Sequence, residues 1–114
     1  MDTIKGYIQE QPEMRFTASG TAITSIRIAE VEEEADTKKF KRIIIWEKLG
    51  EIVEQFLQVR DFVYVKGYWK TRSWEGQDGE PHSVQEFTAK QIWDKDFKDI
   101  ADMEFGDLPV GEDR

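Results

Sequence analysis

Aromatic and basic side chains alternate with mostly apolar residues along the segment from Phe62 to Trp74. Successive side chains of a β-strand point to opposite faces, so one face of this strand would carry only rings and cations. These residues are Tyr64, Lys66, Tyr68, Lys70, Arg72 and Trp74. Bases of a nucleic acid stack on aromatic rings, and the phosphates between them need cations nearby. Side chains on one face recur every ~6.6 Å, a spacing close to that of an extended nucleotide chain. The segment alone fits a single-stranded nucleic-acid contact and an ordinary exposed strand with cross-strand aromatic packing about equally well.

A second strand favours the first interpretation. From Phe40 to Trp46 the chain is rich in β-branched residues. Strand alternation places Phe40, Arg42, Ile44 and Trp46 on one face and leaves Ile43 and Ile45 on the other. Two strands would then show the same mixture of rings and cations on a shared surface. We therefore predict that Phe40, Arg42 and Trp46 join the residues of the first strand in binding nucleic acid.

Catalysis is not expected from this sequence. The single histidine, His82, lies between Pro81 and Ser83 in an expected hairpin loop, and the chain contains no cysteine. Neither a Gly-rich phosphate loop, nor a nucleophile elbow, nor a metal-ligand spacing is present. The carboxylates cluster where nothing would desolvate them, in the run Glu32 to Asp36 and near the C-terminus. We predict no enzyme activity, no metal site and no cofactor.

The hydrophobic pattern predicts five strands and one helix. The strands are expected at Thr3 to Gln9, Thr21 to Ala29, Phe40 to Trp46, Phe62 to Trp74 and Val84 to Trp93. The helix is expected from Glu47 to Arg60, where apolar residues fall on one stripe, and Gly67 is the expected bend of the long strand. This chain order predicts an all-β, five-stranded Greek-key barrel of the OB-fold type, with the helix between strands 3 and 4.

Charge divides the chain into two parts. The net charge of the 114 residues is -8, and the segment from Asp94 to the end contributes -5 of it. We predict one domain at residues 1–93, and an acidic, disordered tail at residues 94–114. A short helix in that tail, docked on the barrel or on a partner, is the alternative. No apolar run approaches the ~20 residues that a transmembrane helix requires, so a soluble, cytoplasmic protein is expected.

Three stretches carry a family resemblance. GYIQEQPEMRFTASGTAITSIRIA, IIIWEKLGEIVEQFL and VYVKGYWKTRSWEGQDG resemble, in order, the opening strands, the strand and helix, and the long strand and turn of bacterial single-stranded DNA-binding proteins. The resemblance covers about residues 4 to 93. It implies a role in DNA replication, recombination and repair, a nucleoid-associated location in the cytoplasm, and a homo-oligomer, a tetramer in the family with a dimer also possible.

The resemblance also assigns residues. It places the family's base-stacking aromatics on Phe40, Trp46 and Trp74, and its phosphate-contacting cations on or near Lys70 and Arg72. Arg15 and Lys48 match two further basic positions of the family, although either can equally serve a structural ion pair.

Two departures from the family bear on function. The loop after the second strand is acidic at Glu32 to Glu34. The corresponding loop of the family is usually longer and contributes an aromatic residue and basic residues. The family's acidic tail normally ends in Pro-Phe, which partner proteins bind. In this sequence Pro109 is followed by Val110 and then by Gly111 to Arg114. The corresponding partner-binding residues would be Phe105, Asp107, Leu108, Pro109 and Val110. The competing hypothesis is a protein-interaction module that docks a partner through its aromatic face or its tail.

Overall fold

The computed structural model describes residues 1–32 and 39–103. Within these ranges the elements are β1 (Asp2–Ile8), β2 (Glu13–Phe16), β3 (Ala22–Glu30), β4 (Lys39–Trp46), α1 (Glu47–Phe56), β5 (Phe62–Glu75), β6 (Pro81–Trp93) and a 3₁₀ turn (Ile100–Asp102).

The strands form one sheet that closes on itself. Their order is β1-β5-β6-β4-β3-β2, and an additional pairing of β1 with β3 closes the ring. The pairing of β4 with β6 is parallel, whereas the other pairings are antiparallel. The helix connects β4 to β5. This closed, mostly antiparallel barrel with one helix at that point of the chain confirms the OB-fold prediction.

The opening of the chain differs from the prediction because it contains two strands and not one. Both β1 and β2 pair with β3, as shown by the partners Ile8 with Ile28 and Glu13 with Ser25. Between them the Gln9 N–H still donates to the Arg27 carbonyl oxygen at 2.8 Å, but Pro12 has no N–H to donate. β1 and β2 are therefore two halves of the first barrel strand, interrupted where the ladder loses its donors.

The barrel interior is filled by the apolar side chains on the inward face of each strand. Ile43, Ile45, Val63 and Val65 have no solvent-accessible surface, and Phe87 on β6 is buried among them. The alternation predicted for β4 and β5 is thus confirmed. Their other parity, which holds the aromatic and basic residues, faces outward.

The helix closes one end of the barrel and is shorter than predicted. Its stripe of Ile52, Val53 and Leu57 packs into the core as expected. It ends at Phe56, however, because Leu57 has extended backbone angles and Arg60 adopts a left-handed conformation with φ of 80°. The predicted continuation to Arg60 is wrong by one turn.

The long strand β5 bends where the sequence places its glycine. A register shift between β5 and β6 lies at Lys66 and Gly67, and a Cβ atom at Gly67 would overlap the carbonyl oxygen of Thr88. From Lys70 to Glu75 both faces of β5 are exposed. The β5–β6 hairpin therefore projects beyond the barrel, and its outer half is accessible from both sides.

Residues 94–103 pack against the barrel, although their acidic sequence groups them with the tail. Ile100 is fully buried and belongs to the core cluster, and Met103 packs against it. The docking alternative therefore describes these ten residues, with a 3₁₀ turn in place of the helix. The rest of the predicted tail lies outside the described residues. In the described part of the chain, α1 is ten residues long and no helix is long and apolar enough to cross a membrane.

Candidate nucleic-acid interface

The outward face of the sheet is continuous across five strands. Pairing partners lie on the same face, and the partners Glu13 with Ser25, Ser25 with Ile44, Ile44 with Thr88, and Thr88 with Tyr68 form one row. This row crosses β2, β3, β4, β6 and β5. The aromatic and basic residues of β4 and those of β5 therefore share one surface, here called the outer face, and the parallel pairing of β4 with β6 joins them.

A groove of about 800 Å³ runs across this outer face. Five residues that the sequence assigns to binding line it together: Arg15, Arg42, Trp46, Lys70 and Arg72. Its carboxylates are Glu13 and Glu86, so cations outnumber anions among its lining residues. The indole of Trp46 is 42% exposed, which leaves a ring available for stacking beside the cations.

Three arginines of this surface are paired with glutamates. The atoms Arg15 Nε and Glu13 Oε1 are 3.8 Å apart, and Arg42 Nη2 and Glu10 Oε1 are 3.7 Å apart. Both pairs are exposed, and exposed ion pairs contribute about 1 kcal/mol or less. A phosphate can therefore replace either glutamate at small cost.

The third arginine pair has better geometry. Arg72 donates from Nε to Glu86 Oε1 at 3.1 Å and from Nη2 to Oε2 at 3.4 Å. The Glu86 side chain is only 12% exposed, whereas that of Arg72 is 58% exposed. The carboxylate thus lies at the floor of the groove and holds the guanidinium at its surface.

One further arginine lies directly opposite Arg42 on the outer face. Arg27 of β3 is the cross-strand partner of Arg42 of β4. Like charges directly opposite each other destabilise a sheet. Arg27 also lies over the Phe40 ring, with its guanidinium carbon 4.3 Å from the ring centroid. The arrangement concentrates positive charge beside an exposed aromatic ring, which suits an anionic ligand that carries rings.

The projecting hairpin carries a chain of contacts that ends at its turn. The guanidinium carbon of Arg72 is 4.8 Å from the centroid of the Trp74 ring. The His82 ring stacks near Trp74 with centroids 5.7 Å apart and planes at 20°. His82 Nε2 in turn lies 3.4 Å from Asp78 Oδ1. These contacts orient Trp74, which remains 44% exposed.

Asp78 organises the turn of this hairpin. Its carboxylate accepts a hydrogen bond from the Glu80 N–H at 2.9 Å. That backbone N–H, followed by the hydrogen bond with His82, holds the pKa of Asp78 below its ordinary value. The charged carboxylate thus stabilises the turn that presents Trp74.

The remaining predicted residues lie along β5 and on α1. Tyr68 is 38% exposed on the outer face, and the Lys90 ammonium is 5.6 Å from its ring centroid. Lys66 is exposed, and Tyr64 is half-buried. Lys48 is exposed on α1 and is not among the residues that line the groove. Binding by each of these residues stays a prediction.

Sequence reasoning missed several residues of this surface. Arg27 and Lys90 lie on the outer face beside predicted aromatics, and Glu86 holds Arg72. Arg27 carries a usable signal, because it shares a parity with Ser25 on an alternating strand. For Lys90 and Glu86 the pattern of β6 is less regular, and only the cross-strand register locates them.

Two further predictions concern the partner-binding residues of the tail and the absence of a metal site. The candidate partner-binding residues Phe105, Asp107, Leu108, Pro109 and Val110 lie outside the described residues, as does most of the acidic loop after β3. Within residues 1–32 and 39–103, no group of three or more potential metal ligands is assembled.

The closed barrel and its groove define an OB-fold domain with a basic, aromatic outer face. The chain belongs to the single-strand binding protein family, whose model matches residues 3–93.

Curated relatives agree with this assignment. The chain is 32% identical over 95 residues to "Single-stranded DNA-binding protein 3" of Listeria innocua, an alignment that covers 76% of this chain and 58% of the relative. It is 31% identical over 99 residues to a "Single-stranded DNA-binding protein" of Paenarthrobacter aurescens, covering 79% and 58%. A protein of the same name from Bacillus cereus is 32% identical over 95 residues, covering 76% and 54%. The chain thus spans little more than half the length of these relatives.

Proposed function

We propose that this domain binds single-stranded DNA with little sequence preference and acts in DNA replication, recombination and repair. The observation that carries the proposal is the groove on the outer face, where Arg15, Arg42, Trp46, Lys70 and Arg72 meet from three strands. Family membership and the names of the curated relatives support it. The role is binding and not catalysis.

The proposed mechanism combines stacking with charge. Bases stack on Trp46, Trp74 and Phe40, all of which are 42–50% exposed. Phosphates contact Arg42 and the cations of β5, and the extended strand β5 matches the spacing of an extended nucleotide chain. Since backbone and π-face contacts are common to all nucleotides, this mode of binding discriminates little between sequences.

Assembly into a homo-oligomer belongs to the same proposal. Among the described residues, β1 pairs with β5 from Asp2 to Tyr7, but with β3 only from Gly6 to Ile8. The first residues of β1 therefore offer a strand edge to a second copy. The family favours a tetramer, and a dimer is the alternative.

The experiment is a titration with labelled oligo-dT followed by fluorescence anisotropy. At low salt the chain should bind, and the affinity should fall as salt rises, with a log-log slope of about -0.7 for each phosphate contacted. Sedimentation of the same samples measures the assembly. Absence of binding at low salt would refute the proposal and leave the protein-interaction module as the better explanation.

Substitution of three tryptophans tests the assignment of faces. Trp46→Ala and Trp74→Ala should each weaken binding by about 1–3 kcal/mol, the contribution of one stacked base, and leave the fold intact. Trp69→Ala is the matched control, because Trp69 has the opposite parity and packs edge-on against Phe87 at 5.0 Å. It should lower the free energy of unfolding by about 3 kcal/mol, the low end for a buried aromatic, because Trp69 is only partly buried. Loss of binding without loss of stability in Trp69→Ala would show that the outer face is misassigned.

A further inference from the structure

The turn from Asp94 to Lys98 presents an aromatic side chain that the proposed function does not use. The Asp94 N–H donates to the Lys98 carbonyl oxygen, and the Phe97 N–H donates to the Asp94 carbonyl oxygen, both at 2.9 Å. The Asp94 carboxylate also accepts from the backbone N–H groups of Asp96 and Lys98, at 2.8 and 2.9 Å. These four hydrogen bonds hold the turn, and Phe97 is its fourth residue.

The phenyl ring of Phe97 stacks on Tyr64 but stays accessible. The two ring centroids are 4.2 Å apart and the planes meet at 20°. Even so, Phe97 is 65% exposed. A parallel stack covers one π-face of a ring, so such exposure leaves the other available. Anchoring of the segment does not require Phe97, because Ile100 is fully buried in the core.

The backbone at Phe97 is strained. Its φ is +63°, in the left-handed region that bulky residues rarely adopt. Such strain persists where the surroundings enforce it and occurs preferentially at ligand-binding sites. The turn holds the ring on Tyr64 despite this cost.

Tyr64 connects this stack to the groove. It occupies the far end of the alternating row on β5, beyond Lys66 and Tyr68. Ten residues separate it from Trp74, which corresponds to ~33 Å of strand, or about five nucleotides at ~6.6 Å each. A DNA strand lying along β5 from the hairpin therefore arrives at Tyr64 and Phe97.

We propose that Phe97, supported by Tyr64, forms an additional stacking subsite for a base of the same DNA strand, at the end of β5 opposite the hairpin. The inference rests on the proposed function and extends the path of the DNA. The turn itself carries Lys95 and Lys98 against Asp94 and Asp96, so it is close to neutral. Stacking and not phosphate contact is the contribution expected from it.

The test compares Phe97→Ala with Phe16→Ala across oligo-dT lengths. Phe16 is a matched control, because it is 66% exposed, lies on β2 and does not line the groove. With an oligonucleotide of about twenty residues, Phe97→Ala should weaken binding about 5- to 150-fold, whereas Phe16→Ala should not. With dT4, which at ~26 Å is too short to reach from Trp74 to Tyr64, the two variants should differ less than with the long oligonucleotide. The salt slope should be the same as for the unmodified chain, since no phosphate contact is lost.

Phe97→Tyr keeps a stacking ring and should retain the affinity for the long oligonucleotide. It also separates loss of a stacking ring from loss of folding. If Phe97→Ala loses binding and melts at a lower temperature, and Phe97→Tyr does not restore binding, the proposal is overturned. Equal affinities of Phe97→Ala and Phe16→Ala at every length would overturn it as well and leave the proposed function standing. If the unmodified chain binds no oligonucleotide, the proposed function fails and the subsite fails with it.

Discussion

Glu86 lies at the floor of the groove and, in the proposed function, would compete with DNA for Arg72. Its two carboxylate oxygens face Nε and Nη2 of Arg72 at 3.1 and 3.4 Å, the bidentate geometry that a phosphate would also adopt. Arg72 is oriented a second time by the Trp74 ring, 4.8 Å from its guanidinium carbon. Replacement of Glu86 by Gln should therefore free the guanidinium without displacing it. We predict that Glu86→Gln binds single-stranded DNA more tightly.

The size of the effect follows from two contributions. A phosphate on Arg72 would lie about 6 Å from the Glu86 carboxylate, and at the dielectric constant of water this repulsion is about 0.7 kcal/mol, or about threefold in Kd. A phosphate bound by the freed guanidinium also steepens the log-log salt slope by about 0.7. The advantage of the variant should thus shrink by about 2.6-fold between 50 and 200 mM salt. The loss of folding stability should be small, about 1 kcal/mol or less, because Arg72 is 58% exposed.

The assay is anisotropy with labelled oligo-dT at several salt concentrations, together with thermal melting. Glu51→Gln on α1 is the control, because it changes the net charge equally at an exposed position outside the groove. Weaker binding by Glu86→Gln would refute the reasoning and show that Glu86 serves mainly to orient Arg72. Equal tightening by both variants would reduce the effect to net charge alone.

Two predictions concern the hairpin turn and the acidic end. The Glu80 N–H, and to a smaller extent His82, lower the pKa of Asp78 in the folded protein. The stabilisation from its charge is therefore present above the unfolded pKa of about 3.9. It is lost as the pH falls through the lower pKa of the folded state. An NMR titration should place the Asp78 pKa below the ordinary value, with Asp78→Asn removing this pH dependence of the turn; a pKa at or above the ordinary value would contradict it. Deletion of residues 104–114 removes a net charge of -3 and should tighten DNA binding at low salt with no change in melting temperature. Deletion of the whole predicted tail should lower the melting temperature as well, because it removes the fully buried Ile100; unchanged affinity after the shorter deletion would contradict competition by the tail.

The faces of β4 and β5 could be predicted from sequence because burial follows a period of two on each strand. Ile43 and Ile45 are fully buried and Trp46 is exposed, as their spacing predicts. Local alternation does not, however, determine which distant strands meet. The parallel partners Ile44 and Thr88 are more than forty residues apart, and no local pattern specifies that pairing. The chain order of the strands and the helix, and not the parity of the residues, predicted the barrel, and the family resemblance agreed with it.

The segment after Trp93 shows why composition misled. Its acid density is typical of disorder, yet Ile100 has no accessible surface. Two of its aspartates serve as local acceptors: Asp94 for backbone N–H groups of its own turn, and Asp99 for the Gln91 side chain at 2.8 Å. A carboxylate that caps a turn counts toward order, whereas an average over composition counts every acid as a solvated charge. Only the folded structure shows which carboxylates cap a turn and which are solvated.

The net charge of -8 is also reflected on the outer face of the sheet. Carboxylates from Glu10, Glu13 and Glu86 already lie against arginines of the outer face. The proposed DNA binding would exchange one anion for another at these positions, so each phosphate contact would yield less than an unpaired arginine would provide. The balance would shift toward stacking, since within residues 1–32 and 39–103 no aromatic ring stacks on Trp46. For this chain, exposed aromatic rings should therefore account for a larger share of the affinity than the number of cations on the outer face suggests.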